Sequence, residues 1–195
     1  GTVPLPPYIK ENALDERHKD SYQTVYAANE GAKAAPTAGL HFTESLLSEL
    51  EESGIKKAFI TLHVGMGTFE PVTEKDIRKH RMHEEDYFIT PKSAEIINSA
   101  PGRKIACGTT SLRVLESSKE NGRIVPGSGK TEIYIYPGYI FSAVDCLLTN
   151  FHLPKTTLLA LVYAFAGIEL AKKAYDEAVS KKYRLFSYGD AMLII

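Results

Sequence analysis

Residues 103–119 read RKIACGTTSLRVLESSK, and this stretch decides the fold. Its first five residues (103–107) predict a strand, residues 108–111 a turn, and residues 112–119 a helix. A glycine-containing turn between a strand and a helix lies where α/β sheets place their ligand crevice. The stretch therefore predicts an α/β fold with a ligand site at the carboxyl end of this strand.

Strand and helix patterns alternate on both sides of that unit. Thr43 is a predicted helix N-cap, as is Thr90 before Pro91, and Thr156 or Thr157 caps a largely apolar helix. Further strands are predicted at 57–64, 87–89, 130–136, 144–148 and 190–195, and further helices at 44–53, 74–80, 91–100, 157–166 and 168–181. Because helices separate the strands, the sequence predicts one layered α/β domain. Its sheet is expected to be mixed and largely parallel, with flanking helices.

The composition indicates a globular protein of the cytoplasm. The chain has 195 residues, of which 44% are hydrophobic, and a net charge of −1. Its longest apolar run, 158–166, is far shorter than the ~20 residues that span a bilayer, and no secretion signal is apparent. Cys107 and Cys146 match no disulfide framework. A nucleic-acid partner would need a local basic patch, for which 78–81 and 181–184 are candidates; solvated helix ends are the alternative.

Two glycine turns are candidate ligand contacts. In the turn 108–111, glycine lets a ligand approach the backbone, and the amides of the following helix can hold a carboxylate or phosphate. A plain N-cap cluster is the alternative. Arg113 could pair with a carboxylate of a ligand or, structurally, with Glu116. Gly65 and Gly67 have the spacing G-x-G without a third glycine or a lysine, so the pattern taken alone favours a tight structural turn over a ligand contact.

Polar residues at predicted element ends are candidates for chemistry. Histidine exchanges a proton near neutral pH. Asn150 and His152 alternate along an extended segment, so they face one side and could bind an adenine edge or a ribose; a buried structural network is the alternative. The absence of an H-x-H or H-x-x-x-H pair argues against a metal site. Four of the six histidines lie at predicted element ends, namely His41, His63, His83 and His152.

These residues belong to long motifs that recur in one enzyme family. The motifs are PLPPYI (4–9), YQTVYA (22–27), APTAGLHFT (35–43), TLHVG (61–65) with GTF (67–69), MH-x-E (82–85), GTTS-x-R (108–113), IYPGY (135–139), LTNFHLPK (148–155) and FSYGDAM (186–192). Over nearly its whole length the chain resembles the S-adenosylmethionine:tRNA ribosyltransferase-isomerases. So many motifs in the family's order make the resemblance specific.

The resemblance implies a transferase of queuosine biosynthesis. Its members transfer and isomerise the ribosyl moiety of S-adenosylmethionine onto 7-aminomethyl-7-deazaguanine at the tRNA wobble position. The product is epoxyqueuosine, and adenine and methionine are released. Expected partners are the precursor-bearing tRNA and S-adenosylmethionine as co-substrate, with no other cofactor, no metal and no membrane. The alternative is a non-catalytic tRNA-binding fragment whose chemistry needs a missing part.

The resemblance also implies an architecture and a site. Residues 1–10 are expected to be a linker strand leaving a β-barrel domain that the sequence lacks, and 11–195 the α/β catalytic domain. The four histidines would form a proton-transfer pool, oriented by Glu85 and Asp145. Predicted S-adenosylmethionine contacts are Gly65, Gly67, Gly108, Thr109, Thr110, Ser111 and Arg113, with Asn150 at the adenosine. Tyr136, Tyr139 or Tyr188 would stack on unpaired tRNA bases, unless they are packing residues.

Overall fold

The computed structural model describes residues 22–195 except 30, 33, 66–71 and 75. The predicted linker at 1–10 and the predicted contact Gly67 lie outside these residues. The helices are α1 (Glu44–Glu52), α2 (Pro91–Ser99), α3 (Thr109–Ser117), α4 (Thr157–Ala166) and α5 (Ile168–Ser180), with 3₁₀ helices at Thr37–His41 and Ile77–Lys79. The strands are β1 (Ile60–Leu62), β2 (Glu85–Ile89), β3 (Ile105–Cys107), β4 (Lys119–Glu120), β5 (Arg123–Ile124), β6 (Gly127–Thr131), β7 (Cys146–Asn150) and β8 (Ala191–Ile194).

The predicted α/β class is confirmed, but the prediction of a largely parallel sheet is wrong. Among the described strands, β1, β2 and β6 form an antiparallel sheet, and β4 and β5 a short antiparallel ladder. In the third sheet β7 pairs parallel with β3 and antiparallel with β8. Among the described strands only β3 and β7 pair parallel, and the crossover that a parallel pair requires runs through α3 and β4–β6.

Threonine side chains begin three of the helices, as predicted. The hydroxyl oxygens of Thr43, Thr90 and Thr156 accept hydrogen bonds from the third residue after each, at 3.0–3.2 Å. These contacts satisfy amides that have no partner within the helix. The predicted helix at 74–80 is wrong, because Asp76 instead caps the single 3₁₀ turn Ile77–Lys79.

Strand pairing shifts two predicted strands. The strand expected at 130–136 is β6, which ends at Thr131 opposite Glu85. Beyond that point the carbonyl of Ile133 accepts a hydrogen bond from a side chain, Nε of Arg113, at 3.4 Å. The strand expected at 144–148 is β7, two residues later, because its ladder with β8 extends to Asn150. That shift puts Asn150 inside the sheet, at the carboxyl end of β7.

The core joins the two larger sheets through α3 and α4. Its fully buried residues include Ile89 of β2, Leu112 of α3, Leu147 of β7 and Leu161 of α4. The helix α5 packs on the core through small residues: Ala171 and Ala178 are buried, whereas Ile168 and Val179 are 41% and 62% exposed. In the described part of the chain, no helix has the length and apolar character needed to cross a bilayer.

Candidate active site

A cavity of about 420 Å³ opens at the carboxyl ends of the parallel strands β3 and β7. We call it the first cavity. Its size suits a small-molecule ligand, and its place is the one that α/β sheets use for ligands. It is lined by residues 34–38, Val64, 108–110, 149–153, Thr156, Leu158, Phe186 and Ser187.

The amino end of α3 forms one wall of the first cavity. The segment predicted as a turn is in fact the first turn of this helix, which begins at Thr109 after Gly108. Gly108 has φ +88, a conformation that glycine adopts at no steric cost, and its N–H donates to the Leu148 carbonyl at 2.8 Å. No side chain caps this end, so its first amides are available to an anion. Thr109 and Thr110 line the cavity, and Ser111 does not.

Asn150 offers the first cavity a hydrogen-bond acceptor without a partner. The residue is 2% exposed. Its Nδ2 donates towards the carbonyls of Phe186, Ser187 and Gly189, at 3.0, 3.4 and 3.3 Å. Its Oδ1 has no hydrogen-bond partner in the described part of the chain. Because a buried polar atom without a partner is costly, this oxygen is suited to a donor on a bound ligand.

His152 is the histidine that the structure brings into the first cavity. Its ring is half-buried, and Nε2 lies 2.9 Å from the hydroxyl oxygen of Thr149. Its backbone N–H donates to the hydroxyl of Tyr175 at 2.9 Å, which fixes the segment. Burial lowers the pKa of His152 to about 4. The imidazole is therefore neutral at pH 7 and is able to accept a proton.

Acidification is expected to destabilise the protein through His152. The pKa of its side chain is about 4 in the fold, against 6.5 as its ordinary value. Below pH 6.5 the unfolded chain takes up a proton that the folded chain does not, so the free energy of unfolding falls as the pH falls towards 4. From pH 7 to pH 5 this group contributes a fall of about 2 kcal/mol. Urea unfolding of the wild type and of His152→Asn at both pH values measures it; an equal fall in the two proteins would contradict the assignment.

Glu85 and Arg113 form a buried ion pair instead of taking part in the cavity wall. Nη1 of Arg113 lies 2.6 Å from Oε2 of Glu85, and both side chains are 2% exposed. Oε1 of Glu85 accepts the N–H of Gly65 at 3.3 Å. The ion pair of Arg113 is not with Glu116, which instead accepts the N–H groups of residues 142 and 143. The pair joins the start of β2 to α3, and its two residues are 28 positions apart in sequence.

The other predicted histidines lie outside the first cavity. The side chain of His63 is half-buried and packs against Gly31: a Cβ atom added to Gly31 would lie 2.8 Å from the imidazole ring. The next residue, Val64, lines the first cavity, but His63 does not. His83 is exposed. His41 is exposed at the end of the 3₁₀ helix Thr37–His41 and lines a second cavity.

Asp145 lies at the wrong end of β7 to orient a histidine of the first cavity. It is exposed, and its Oδ2 accepts the N–H of Lys104 at 2.7 Å. Asn150 is five residues further along the strand, roughly 15 Å away at about 3.3 Å per residue. Asp145 therefore joins the amino ends of two strands.

The second cavity, of about 610 Å³, lies beside the first. It is lined by His41, Phe42, Leu46, Leu148, Tyr183, Asp190 and Ala191. Sequence patterns alone do not reveal Tyr183, Phe186, Ser187 and Asp190 as cavity residues. Three of these four belong to the FSYGDAM motif, and that motif is the one feature of the sequence that could have identified them as site residues.

Charged and aromatic candidates for RNA contact have neighbours within the protein. The basic residues pair with acids: Arg78 with Asp76 at 2.9 Å, Lys181 with Glu177 at 2.7 Å, and Arg184 with Asp190 at 2.9 Å. Among the tyrosines, Tyr139 packs on Phe141, Tyr136 on Tyr134 and Tyr188 on Tyr22. Tyr188 remains 38% exposed.

The fold and the first cavity define the class: an α/β domain whose cavity, of a size that suits a small molecule, lies between a helix amino end and the carboxyl ends of parallel strands. Residues 1–194 match the model of the queuosine biosynthesis protein family, and the chain belongs to that family.

Relatives and a solved structure agree with this assignment. Over the whole chain, the S-adenosylmethionine:tRNA ribosyltransferase-isomerases of Desulforamulus reducens and Geobacter metallireducens are 58% and 54% identical to it. The chain spans 58% and 57% of their lengths. The crystal structure of the S-adenosylmethionine tRNA ribosyltransferase of Thermotoga maritima matches 81% of this chain and 51% of its own, with 41% identity and a TM-score of 0.67.

Proposed function

We propose that this chain carries the catalytic site of an S-adenosylmethionine:tRNA ribosyltransferase-isomerase. The enzyme transfers the ribosyl moiety of S-adenosylmethionine to 7-aminomethyl-7-deazaguanine in tRNA, giving epoxyqueuosine, adenine and methionine. The names of the relatives support the reaction, and they belong to proteins of which this chain spans 58% or less. A tRNA substrate also favours the cytoplasm as its location.

The observation that carries the proposal is that one cavity contains both a hydrogen-bond acceptor and an anion-binding helix end. S-adenosylmethionine has an adenine, which offers N–H donors, and a carboxylate. Asn150 presents an acceptor without a partner, and the amino end of α3 presents amides for an anion. We therefore place the adenosine at Asn150 and the methionine carboxylate at Gly108, Thr109 and Thr110. Arg113 does not line the first cavity, so we give it no part in this scheme.

The chemistry asks for proton acceptors at two places. The sulfonium charge acidifies the ribose 5′ carbon, from which a base can remove a proton, and the aminomethyl group must lose a proton to become a nucleophile. His152 lines the first cavity, where we place the adenosine, and we assign it the first role. His41, on the boundary with the second cavity, suits the second. We give His63 and His83 no proton-transfer role.

Adenine release tests the proposal directly. We expect the intact protein to bind S-adenosylmethionine in calorimetry and to release adenine, measured by chromatography, with precursor-bearing tRNA but not with unmodified tRNA. Because the scheme uses no metal and no further cofactor, dialysis against a chelator is expected to leave the rate unchanged. Binding of tRNA without any binding of S-adenosylmethionine would instead identify a non-catalytic tRNA-binding protein.

A further inference from the structure

The two cavities share two walls. The 3₁₀ helix Thr37–His41 contributes Ala38 to the first cavity and His41 to the second. The loop after α5 contributes Ser187 to the first cavity and Asp190 to the second. A 3₁₀ helix rises about 2 Å per residue, so Ala38 and His41 are about 6 Å apart along the wall. Ligands in the two cavities would therefore lie close enough for a group to pass from one to the other.

The second cavity combines aromatic surface with one carboxylate. Phe42 is half-buried, and Tyr183 is 47% exposed. Aromatic rings of this kind bind the flat face of a nucleobase by stacking. Asp190 supplies a charged acceptor for N–H donors on the edge of such a base, and charge-assisted hydrogen bonds are stronger than neutral ones.

The carboxylate of Asp190 is ionised and retains free acceptor capacity. Hydrogen bonds from the side chain and backbone of Arg184 hold the pKa of Asp190 below its ordinary value. Oδ1 lies 2.9 Å from Nη2 of Arg184, and Oδ2 accepts the backbone N–H of Arg184 at 2.8 Å. Each carboxylate oxygen accepts about two hydrogen bonds, and an ion pair this exposed is weak. A base in the cavity can therefore bond to both oxygens.

We propose that the second cavity binds the 7-aminomethyl-7-deazaguanine base of the tRNA, stacked on Phe42 and Tyr183, with Asp190 accepting from its guanine-like N–H edge. The inference rests on the proposed function, which requires two substrates in contact. The aminomethyl nitrogen must reach the ribose in the first cavity, so this end of the base faces the shared wall. His41 lies in that wall, where it can take the proton of the ammonium. The opposite, guanine-like edge then faces Asp190, and its two adjacent donors match a carboxylate.

Asp190→Asn in the intact protein tests the assignment. Losing hydrogen bonds to a charged acceptor is expected to weaken binding of the free 7-aminomethyl-7-deazaguanine base about 10- to 100-fold in calorimetry. The KM for precursor-bearing tRNA should rise in parallel, while the Kd for S-adenosylmethionine stays within about twofold, because Asp190 does not line the first cavity. The variant should also bind 7-deazaguanine more weakly, because this base has the same N–H edge but no aminomethyl group. Unchanged affinity for 7-deazaguanine would overturn the proposed orientation.

Two variants separate contact with the base from indirect effects. Asp176→Asn removes the same charge from the exposed face of α5, and we expect wild-type affinity for the base. Arg184→Ala removes the ion pair but leaves the carboxylate, so the base should still bind. If Arg184→Ala reproduced the loss, Asp190 would act through its ion pair and the proposal would be wrong. Wild-type protein that bound no S-adenosylmethionine would contradict the proposed function; active protein with unaltered base affinity in Asp190→Asn would contradict this site alone.

Discussion

The Arg113→Met variant is expected to unfold with a free energy about 3–5 kcal/mol lower than that of the wild type. Met fills much of the volume of the Arg side chain but removes the guanidinium charge that lies 2.6 Å from the Glu85 carboxylate, which is 2% exposed. Removing one member of a buried ion pair is far more costly than losing an exposed contact. Urea denaturation followed by circular dichroism measures the difference, with the midpoint of thermal unfolding as a second measurement.

Two further proteins test whether the buried charge is the cause. In the double variant Glu85→Leu with Arg113→Met, both charges are absent, and most of the lost stability should return. Lys130→Met breaks the exposed pair between Lys130 and Glu84, in which both side chains are more than half exposed. That change is expected to leave the free energy of unfolding close to that of the wild type, because solvent-exposed ion pairs contribute little. A double variant no more stable than Arg113→Met would show that packing, and not the loss of charge balance, explains the lower stability.

Replacing His152 by Asn is expected to slow adenine release by about 10²- to 10⁴-fold, the usual contribution of a positioned acid–base group. Asparagine can still bond to the Thr149 hydroxyl but takes up no proton near neutral pH. The Kd for S-adenosylmethionine should change less than the rate, because the proposed contacts at Asn150 and α3 remain. Single-turnover adenine release and calorimetric binding of S-adenosylmethionine give the two quantities separately.

Two further variants accompany His152→Asn: His80→Ala is the control, and Thr149→Val is expected to have an intermediate effect on the rate. His80 packs on Tyr134, with ring centroids 5.4 Å apart, and lines neither cavity. We expect His80→Ala to release adenine at close to the wild-type rate. Thr149→Val removes the hydroxyl next to Nε2 and should lower the rate by less than the loss of the imidazole does. Wild-type rates in His152→Asn, with S-adenosylmethionine still bound, would remove His152 from the chemistry.

Local signals in the sequence predict where three helices begin. They do not predict the direction in which the strands pair, because that depends on residues far apart in sequence. Thr43, Thr90 and Thr156 cap helices within three residues of themselves, so a short window of sequence contains both partners. The antiparallel pairs of β2 with β6 and of β7 with β8 join strands that are distant in sequence. No window around one strand contains its partner, so the alternation of strands and helices alone predicts a mostly parallel sheet.

The candidate site follows the same division. Asn150, His152 and the turn at Gly108 were found because strand ends and glycine turns are visible in sequence. Arg113 resembled an anion-binding residue, and only the fold shows that Glu85, 28 residues away, is its partner. The carbonyls that receive Nδ2 of Asn150 begin 36 residues after it, so no spacing rule anticipates the loop that closes both cavities.

That loop connects the two cavities. The side-chain amide of Asn150 holds residues 186–189, and Asp190 follows directly. If both substrates bind as proposed, a ligand on Asn150 restrains the segment that carries Asp190, and less conformational entropy is lost when the second ligand binds. Each ligand then strengthens the binding of the other by the same factor. We therefore expect the two substrates to bind cooperatively, without any rearrangement of the sheets.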